Sequence, residues 1–300
     1  MRVFQIKDDW GFDNLALTER DEPKCRPGQI IVEMRMASLN SRDLIVPERG
    51  YGRATGELPL IPVSDGVGKV VEVGEDVTRV ADGDRVCPTY FQNWTATPDR
   101  FASALGGPLD GVMADRICLS AEGVVKLPDY LTDAEAATLP CAALTAWSAV
   151  VTHGQTRAGD KLLIQGTGSV ALFALAFAKI QGAHATVISS SDEKLGKVME
   201  MGADATINYH SEEDWARASR AITADRGGYD NIIELGGAKT LPLSLRAVRP
   251  GGTLSMIGVL SGLNFEASLG PIVARQVRLQ GVTVGHRDGF EAMLRAMAQH

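Results

Sequence analysis

Residues 160–183 run Asp-Lys-Leu-Leu-Ile-Gln, then Gly166-Thr167-Gly168-Ser169-Val170-Ala171, then Leu-Phe-Ala-Leu-Ala-Phe-Ala-Lys-Ile-Gln-Gly-Ala. A short apolar run passes through glycines, without proline, into a segment rich in Ala and Leu: the pattern of strand, tight turn and helix. Gly166 accepts a turn conformation that a side chain resists, Gly168 lets the backbone approach phosphate oxygens, and small Ala171 sits where helix packs on strand. The start of such a helix offers free N–H groups and a positive partial charge. Gly166, Thr167, Gly168, Ser169 and Val170 are therefore the candidate cradle for the pyrophosphate of a dinucleotide. Gly and Ala pairs also serve ordinary helix packing, so the motif needs support from its neighbours.

The following residues supply it. His184-Ala-Thr-Val-Ile188 is a second β-branched run, ending in Ser189-Ser190-Ser191-Asp192-Glu193-Lys194 at the distance where an adenosine ribose is read. The pattern then predicts a helix over 192–201 stopping at Gly202, a strand over 205–208, a helix over 212–223 and a strand over 229–235 closed by Gly236-Gly237. A helix over 241–248, the turn Arg249-Pro250-Gly251-Gly252 and strands over 253–259 and 279–285 complete the series. Alternating strands and helices imply a parallel sheet covered on both faces, with ligand at the carboxyl ends of its strands.

The chain has 300 residues, 45% hydrophobic and 22% charged, enough for two medium domains. A formal net charge of -7 and the lack of a basic run argue against a nucleic-acid partner held through phosphates. Met-Arg-Val-Phe-Gln-Ile-Lys-Asp-Asp-Trp at the start has no apolar core, and the Ala-rich stretches 134–151 and 170–180 are interrupted or too short to span a bilayer. The expectation is a cytoplasmic protein with a small-molecule substrate and no membrane partner. Cys25, Cys87, Cys118 and Cys141 lack Cys-x-x-Cys spacing and imply no disulfide framework.

Residues 1–126 show short β-rich runs broken by Gly and Pro. Residues 28–37 alternate like a half-buried strand, 66–74 form a Gly-rich strand of the kind that turns a corner, and 81–87 read as turn and strand. This half is an antiparallel β domain. Residues 111–118 read as a further strand, and 124–128 lead into the second half.

Several short motifs lie in register along the chain: Pro27-Gly28-Gln29, Asn40-Ser41-Arg42-Asp43, Ser64-Asp65-Gly66-Val67-Gly68, Gly83-Asp84-Arg85-Val86, Leu139-Pro140-Cys141-Ala142 and the glycine turn. Together they resemble the medium-chain dehydrogenase/reductase superfamily, and within it the zinc-free, quinone-oxidoreductase-like branch, over almost the whole sequence. The resemblance implies an α/β protein with a GroES-like antiparallel β-barrel over 1–126 and a Rossmann doubly wound parallel sheet over 127–286. Residues 287–300 would start a helix returning to the first domain. The family continues beyond Ala298-Gln-His300, where this sequence stops inside a helical pattern. A homodimer paired through the strand at 280–285 is the implied assembly.

Zinc members of the superfamily hold the metal with a Cys, a His-Glu pair and a later Cys. Asn40 stands at the first place and Ser64-Asp65 at the second, while Cys141 matches the last, and 91–117 carry no cysteine for a structural zinc. The expectation is no metal. The aromatic excursion 91–111 reads either as a loop covering a pocket or as a packed surface segment.

Thr132 or Asp133 caps a helix ending near Thr138, and 141–151 form the next. Within it, the resemblance makes Thr145 cofactor-lining, against the alternative of a threonine bonding its own backbone. Ser189, Ser190, Ser191 and Lys194 offer donors and charge to a 2′-phosphate where NAD-dependent proteins carry an acid, so NADPH is favoured over NADH. Asp192 lies close enough to read a ribose instead, and Tyr209 flanks the adenosine end. Gly236, Val259, Leu260 and Ser261 finish strands where the family's nicotinamide and substrate meet. His286 reads as a proton donor or a structural residue.

Without zinc to polarise a simple ketone, a conjugated acceptor needs less help. The leading expectation is hydride transfer from NADPH to the β-carbon of an enone or to a quinone. Asn40, Tyr51 and Ser64 are the candidate catalytic donors to the developing oxyanion, Asn40 also touching cofactor. Asp43 and Asp65 are expected to hold loops. The alternatives are an alcohol dehydrogenase or ketone reductase, and a nucleotide-dependent regulatory protein without turnover.

Overall fold

The computed structural model describes residues 1–96 and 103–300, in two compact units: residues 1–144 with 284–299, and residues 145–283. In chain order the strands are β1 (Arg2–Ile6), β2 (Leu15–Glu19), β3 (Gln29–Ser38), β4 (Asp65–Val73), β5 (Arg85–Pro88), β6 (Arg116–Ser120), β7 (Val124–Lys126), β8 (Lys161–Gln165), β9 (His184–Ser189), β10 (Ala205–Asn208), β11 (Tyr229–Glu234), β12 (Val248–Met256) and β13 (Arg278–Gly281). The α-helices are α1 (Asp133–Ala137), α2 (Leu144–Trp147), α3 (Ser169–Ile180), α4 (Asp192–Glu200), α5 (Trp215–Ile222), α6 (Leu241–Ala247), α7 (Leu269–Ala274) and α8 (Arg287–Met297).

In the first unit β1 and β2 form a hairpin, and a curled antiparallel sheet runs β6-β3-β4-β5-β7. The β3–β4 register slips between Ile31 and Val32 and again between Met34 and Met36, and such bulges bend a sheet. Its concave side buries Ile30, Val32, Val70, Val86, Leu119 and Val124, each contributing roughly 1.5–3 kcal/mol by leaving water. The strand expected at 111–118 shrinks to β6. Ahead of it the backbone leaves the ladder, with Gly111 N–H donating to the Ile61 carbonyl and Val112 N–H to that of Val63.

The helical run begins at α1, where Thr132 and Glu135 form a reciprocal capping box. It continues through π-wound turns at Leu139–Ala143 and Ser148–Thr152 on either side of α2, wider turns that often mark functional positions. The division at residue 144 comes later than the expected one at 126, because α1 packs on β3 and β4. Residues 97–102 of the aromatic excursion lie outside the described residues.

The second unit is a six-stranded parallel sheet in the order β10-β9-β8-β11-β12-β13. The chain winds outward from β8 one way, then restarts at β11 the other way, so the switch point lies between β8 and β11. Leu163, Ile188, Tyr229, Ile232 and Leu254 anchor the core between sheet and helices. The expected turn 249–252 is absorbed as a bulge, since pairing jumps from Tyr229 with Val248 to Asn231 with Thr253. The last strand ends at Gly281 rather than 285, and Val284 beyond it has φ +51°, which breaks an extended run. The helix expected from 212 starts at Trp215, where Asp214 caps it. Among the described residues no helix is long and apolar enough to cross a membrane.

Candidate active site

The polar loops of the first unit converge where β3 ends and β4 begins. Asn40 leaves β3, and its N–H is held by the Asp43 carboxylate at 2.8 Å. Ser64 precedes β4 directly after Val63, whose φ of +72° is unusual for a β-branched residue and aims the next side chains inward. Gly106 lies so close that an added Cβ would stand 2.7 Å from the Val63 backbone. Ser64 Oγ donates to Asp65 Oδ1 at 2.6 Å, and the Cys141 N–H donates to Asp65 Oδ2 at 2.8 Å.

Burial pushes the Asp65 carboxyl up to about 6, against the pull of the Ser64 hydroxyl, the Cys141 N–H and the neighbouring Asn40 amide. Asp43 is raised by burial as well, opposed by its bond to the Asn40 N–H and by Arg42. Burial likewise raises the Tyr51 phenol, with Arg42 opposing and Cys141 and Asp43 adding to it. Sequence reasoning assigned no role to Arg42 or Tyr90. The buried Arg42 guanidinium donates to the Leu105 and Gly107 carbonyls at 2.7 and 3.0 Å and lies 4.9 Å over the Tyr90 ring. Nothing in an Asn-Ser-Arg-Asp string announces that this arginine turns inward. Asn40 Nδ2, Arg42 Nε and Asp43 Oδ1 are buried without a hydrogen-bond partner among the described residues.

Ser64 is fully buried with its proton on Asp65, while Asn40 is half-buried with its NH2 turned inward and without a partner among the described residues. Tyr51, 47% exposed, is the one of the three that reaches outward. His286 takes the structural place among its two readings: its Nδ1 accepts the Gly289 N–H at 2.9 Å and caps α8, while its ring lies 5.9 Å from that of Trp94.

In the second unit, Gly166 has φ +78°, and a Cβ added there or at Gly168 would meet nothing within 4 Å. The turn is an open cradle. Thr167 lies between these glycines. Gly168 caps α3 without a side-chain hydrogen bond, and the first helical bond runs from Leu172 N–H to the Gly168 carbonyl, so the turn holding Ser169 and Val170 keeps its N–H groups for a ligand. Thr145 is buried at the start of this unit.

The serine arm divides. Ser189 is buried and its Oγ accepts the Ser191 N–H at 3.4 Å, while Ser191 Oγ caps α4 by accepting the Lys194 N–H at 3.3 Å. Both hydroxyls accept a backbone N–H and so help to shape the start of α4. Ser190 and Lys194 remain exposed, and Lys194 has no ion pair among the described residues. Asp192, the competing ribose acid, accepts from Asn208 Nδ2 at 2.6 Å. Tyr209 is exposed beside His210.

At the switch point the sequence reading missed Gln165 and Glu234, each the polar residue that follows a pair of apolar ones at the end of its strand. Glu234, almost fully buried, accepts from Gln165 Nε2 at 2.7 Å, from the Gly236 and Gly237 N–H groups at 3.0 Å each, and from the Thr240 and Ser244 hydroxyls. Ser261 Oγ donates to the Gly236 carbonyl at 2.7 Å and accepts the Lys239 N–H, so it fastens the loop. Val259 and Leu260 are exposed.

Comparison with known proteins agrees with this arrangement. Residues 26–129 match the alcohol dehydrogenase GroES-like domain, and residues 169–299 the zinc-binding dehydrogenase domain. A zinc-type alcohol dehydrogenase-like protein of Schizosaccharomyces pombe is 41% identical over 295 residues, covering 95% of this chain and 84% of the relative. The chain belongs to the medium-chain dehydrogenase/reductase superfamily. The crystal structure of an alcohol dehydrogenase-type protein from Sinorhizobium meliloti 1021 superposes with a TM-score of 0.90 at 40% identity, over 99% of this chain and 88% of that one. An NAD-dependent alcohol dehydrogenase superposes at 0.88 with 26% identity, over 100% and 89%. As a member of this superfamily, the chain is an oxidoreductase.

Proposed function

We propose that the chain is an NADPH-dependent, zinc-independent reductase of α,β-unsaturated carbonyls or quinones. The observation that carries this reading is the state of Asp65. In the place of a metal-ligand pair, its two oxygens are occupied by the Ser64 hydroxyl and the Cys141 N–H. A zinc ion would find one thiol, Cys141, beside the amide of Asn40 and a buried serine, a donor set that does not fit its preference for three N, S or carboxylate ligands. No group of three or more His, Cys, Asp or Glu suited to a metal occurs among the described residues.

The cradle fits a dinucleotide: Gly166, Thr167, Gly168, Ser169 and Val170 would hold the pyrophosphate, and Ser190 with Lys194 a 2′-phosphate. Bound there, NADPH supplies the hydride. The new C–H bond forms at the β-carbon, the π electrons move to the carbonyl oxygen, and solvent protonates the α-carbon. Tyr51 donates a hydrogen bond to that oxygen as it gains charge, and its raised pKa keeps the phenol proton in place at neutral pH. Ser64 acts behind it by holding Asp65, and Asn40 holds the loop through its N–H on Asp43.

Titration with NADPH and NADH by cofactor fluorescence, followed by an enone and a quinone, tests the reading. Tighter NADPH binding with acceptor-dependent loss of signal is expected, and binding of neither nucleotide would refute it. The NAD-dependent alcohol dehydrogenase neighbour favours a second reading, alcohol or ketone turnover; one zinc per purified chain would move the assignment there.

A homodimer accompanies the proposal. β13 is an edge strand with a row of unpaired backbone groups, and Leu260, Leu263, Leu269 and Val273 are all exposed in the same unit.

A further inference from the structure

We propose that Gln165 and Glu234 form a positioning link that fixes the distance between the two turns of the cofactor cradle; this rests on the dinucleotide reading above. Gln165 ends β8 immediately before Gly166, and Glu234 ends β11 immediately before the 235–240 turn. The strands are neighbours across the switch point, paired from Asn231 with Leu162 to Ile233 with Ile164, which brings the two side chains opposite each other. Gln165 Nε2 donates to Glu234 Oε2 at 2.7 Å, and Gln165 Oε1 accepts the Leu235 and Gly236 N–H groups at 3.1 and 3.0 Å. The opposite carboxylate oxygen, Oε1, gathers the Gly236 and Gly237 N–H groups and the Thr240 hydroxyl. From Gly236 the chain of bonds passes through its carbonyl to Ser261, on the loop after β12.

The ends of β8, β11 and β12 are therefore joined by one hydrogen-bond network, buried at Gln165 and Glu234 and half-buried beyond them. Its outer members are the turn that receives pyrophosphate and the loops assigned to the nicotinamide. A cofactor gripped at one end is presented at the other by a spacer in which donors and acceptors are matched, so hydride geometry is set without a side chain touching the reacting carbon. Glu234 and Gln165 are positioning residues, not catalytic ones.

The matching dictates a specific test. E234Q can keep its amide oxygen toward Gly236, Gly237 and Thr240, but its NH2 then faces Gln165 Nε2, donor against donor, and the Ser244 hydroxyl loses its acceptor, so the link is cut together with that one bond. Q165E sets two carboxylates against each other. The double variant Q165E/E234Q exchanges amide and carboxylate and restores every donor–acceptor pair. NADPH KM, acceptor KM and kcat are measured for all four proteins, with NADPH binding by fluorescence. For E234Q the NADPH KM is expected to rise about tenfold, the worth of roughly one buried hydrogen bond, with the acceptor KM unchanged. Q165E is expected to be worse, and the double variant to return to the parental NADPH KM.

Parental NADPH KM in E234Q overturns the link, as does a double variant that folds but stays impaired. If E234Q fails to fold, the double variant carries the test: parental NADPH binding supports the link, and unfolding or weak binding refutes it. A parent chain that binds neither NADPH nor NADH refutes the dinucleotide reading itself, and the link falls with it; this outcome is distinct from all of the others.

Discussion

Ser64 Oγ donates to Asp65 Oδ1 at 2.6 Å, and neither side chain reaches solvent. With its carboxyl pushed up to about 6 by burial, Asp65 binds its proton more tightly folded than unfolded, where the ordinary value is 3.8. The stabilising contribution of that proton is fully present below the unfolded value and is lost as pH rises through about 6. D65N removes the titration while keeping an oxygen for the Cys141 N–H and an NH2 for Ser64. Between pH 4 and pH 7 the parent is expected to lose about 2 kcal/mol relative to D65N. Urea denaturation of both proteins across this range checks it, and parallel pH profiles would contradict it.

The split in the serine arm predicts separable effects. S191A removes the cap of α4 and is expected to lower stability by about 1 kcal/mol without changing the ratio of NADPH to NADH affinity. K194A is expected to leave stability within about 0.5 kcal/mol while weakening NADPH about tenfold more than NADH, by removing one charge from an exposed phosphate contact. Thermal melts paired with fluorescence titrations of both nucleotides distinguish the two.

Gly237 has φ +92°, and an added Cβ would stand 2.9 Å from Val259 Cα. G237A combines backbone strain with a backbone clash, and a loss of about 2–4 kcal/mol is expected. Because Gly237 N–H is one of the donors to Glu234, cofactor affinity should fall with it. A G237A protein with the parental melting temperature would mean that the turn relaxes freely.

For the proposed dimer, L269E/V273E places two charges among the exposed side chains of α7. Light scattering coupled to gel filtration is expected to give twice the chain mass for the parent and a single chain mass for this variant. A monomeric parent would remove the dimer from the proposal.

Much of this was legible in the sequence where one local rule governs. The glycine turn, the alternation of strand and helix and the absence of a His-Glu pair at residues 64–65 each depend on neighbours along the chain. The roles of individual polar residues were not. Ser189, Ser190 and Ser191 are identical in the sequence, yet a strand end turns the first inward, a helix start claims the third, and only the second faces out. Ser64 looks like an ordinary loop donor until Asp65 and burial claim it. Glu234 could be suspected from its place directly after Ile232 and Ile233, but its partner Gln165 lies 69 positions away in sequence and becomes visible only through the pairing of β8 with β11.

The first unit is discontinuous: residues 1–144 are completed by 284–299. Arg79 pairs with Glu291 at 2.6 Å, Arg287 with Glu122, and Tyr130 OH donates to the Leu294 carbonyl at 3.3 Å. On the ribosome, residues 1–144 must therefore wait for residues 284–299, which are made only after the whole second unit. While residues 145–283 emerge and pack locally, the surface that α8 will cover stays bare, a long-range closure that slows folding and invites association of unfinished chains. Expression of this chain should accordingly respond to temperature and to chaperones that hold nascent apolar surface, more than the local packing of its parallel sheet would suggest.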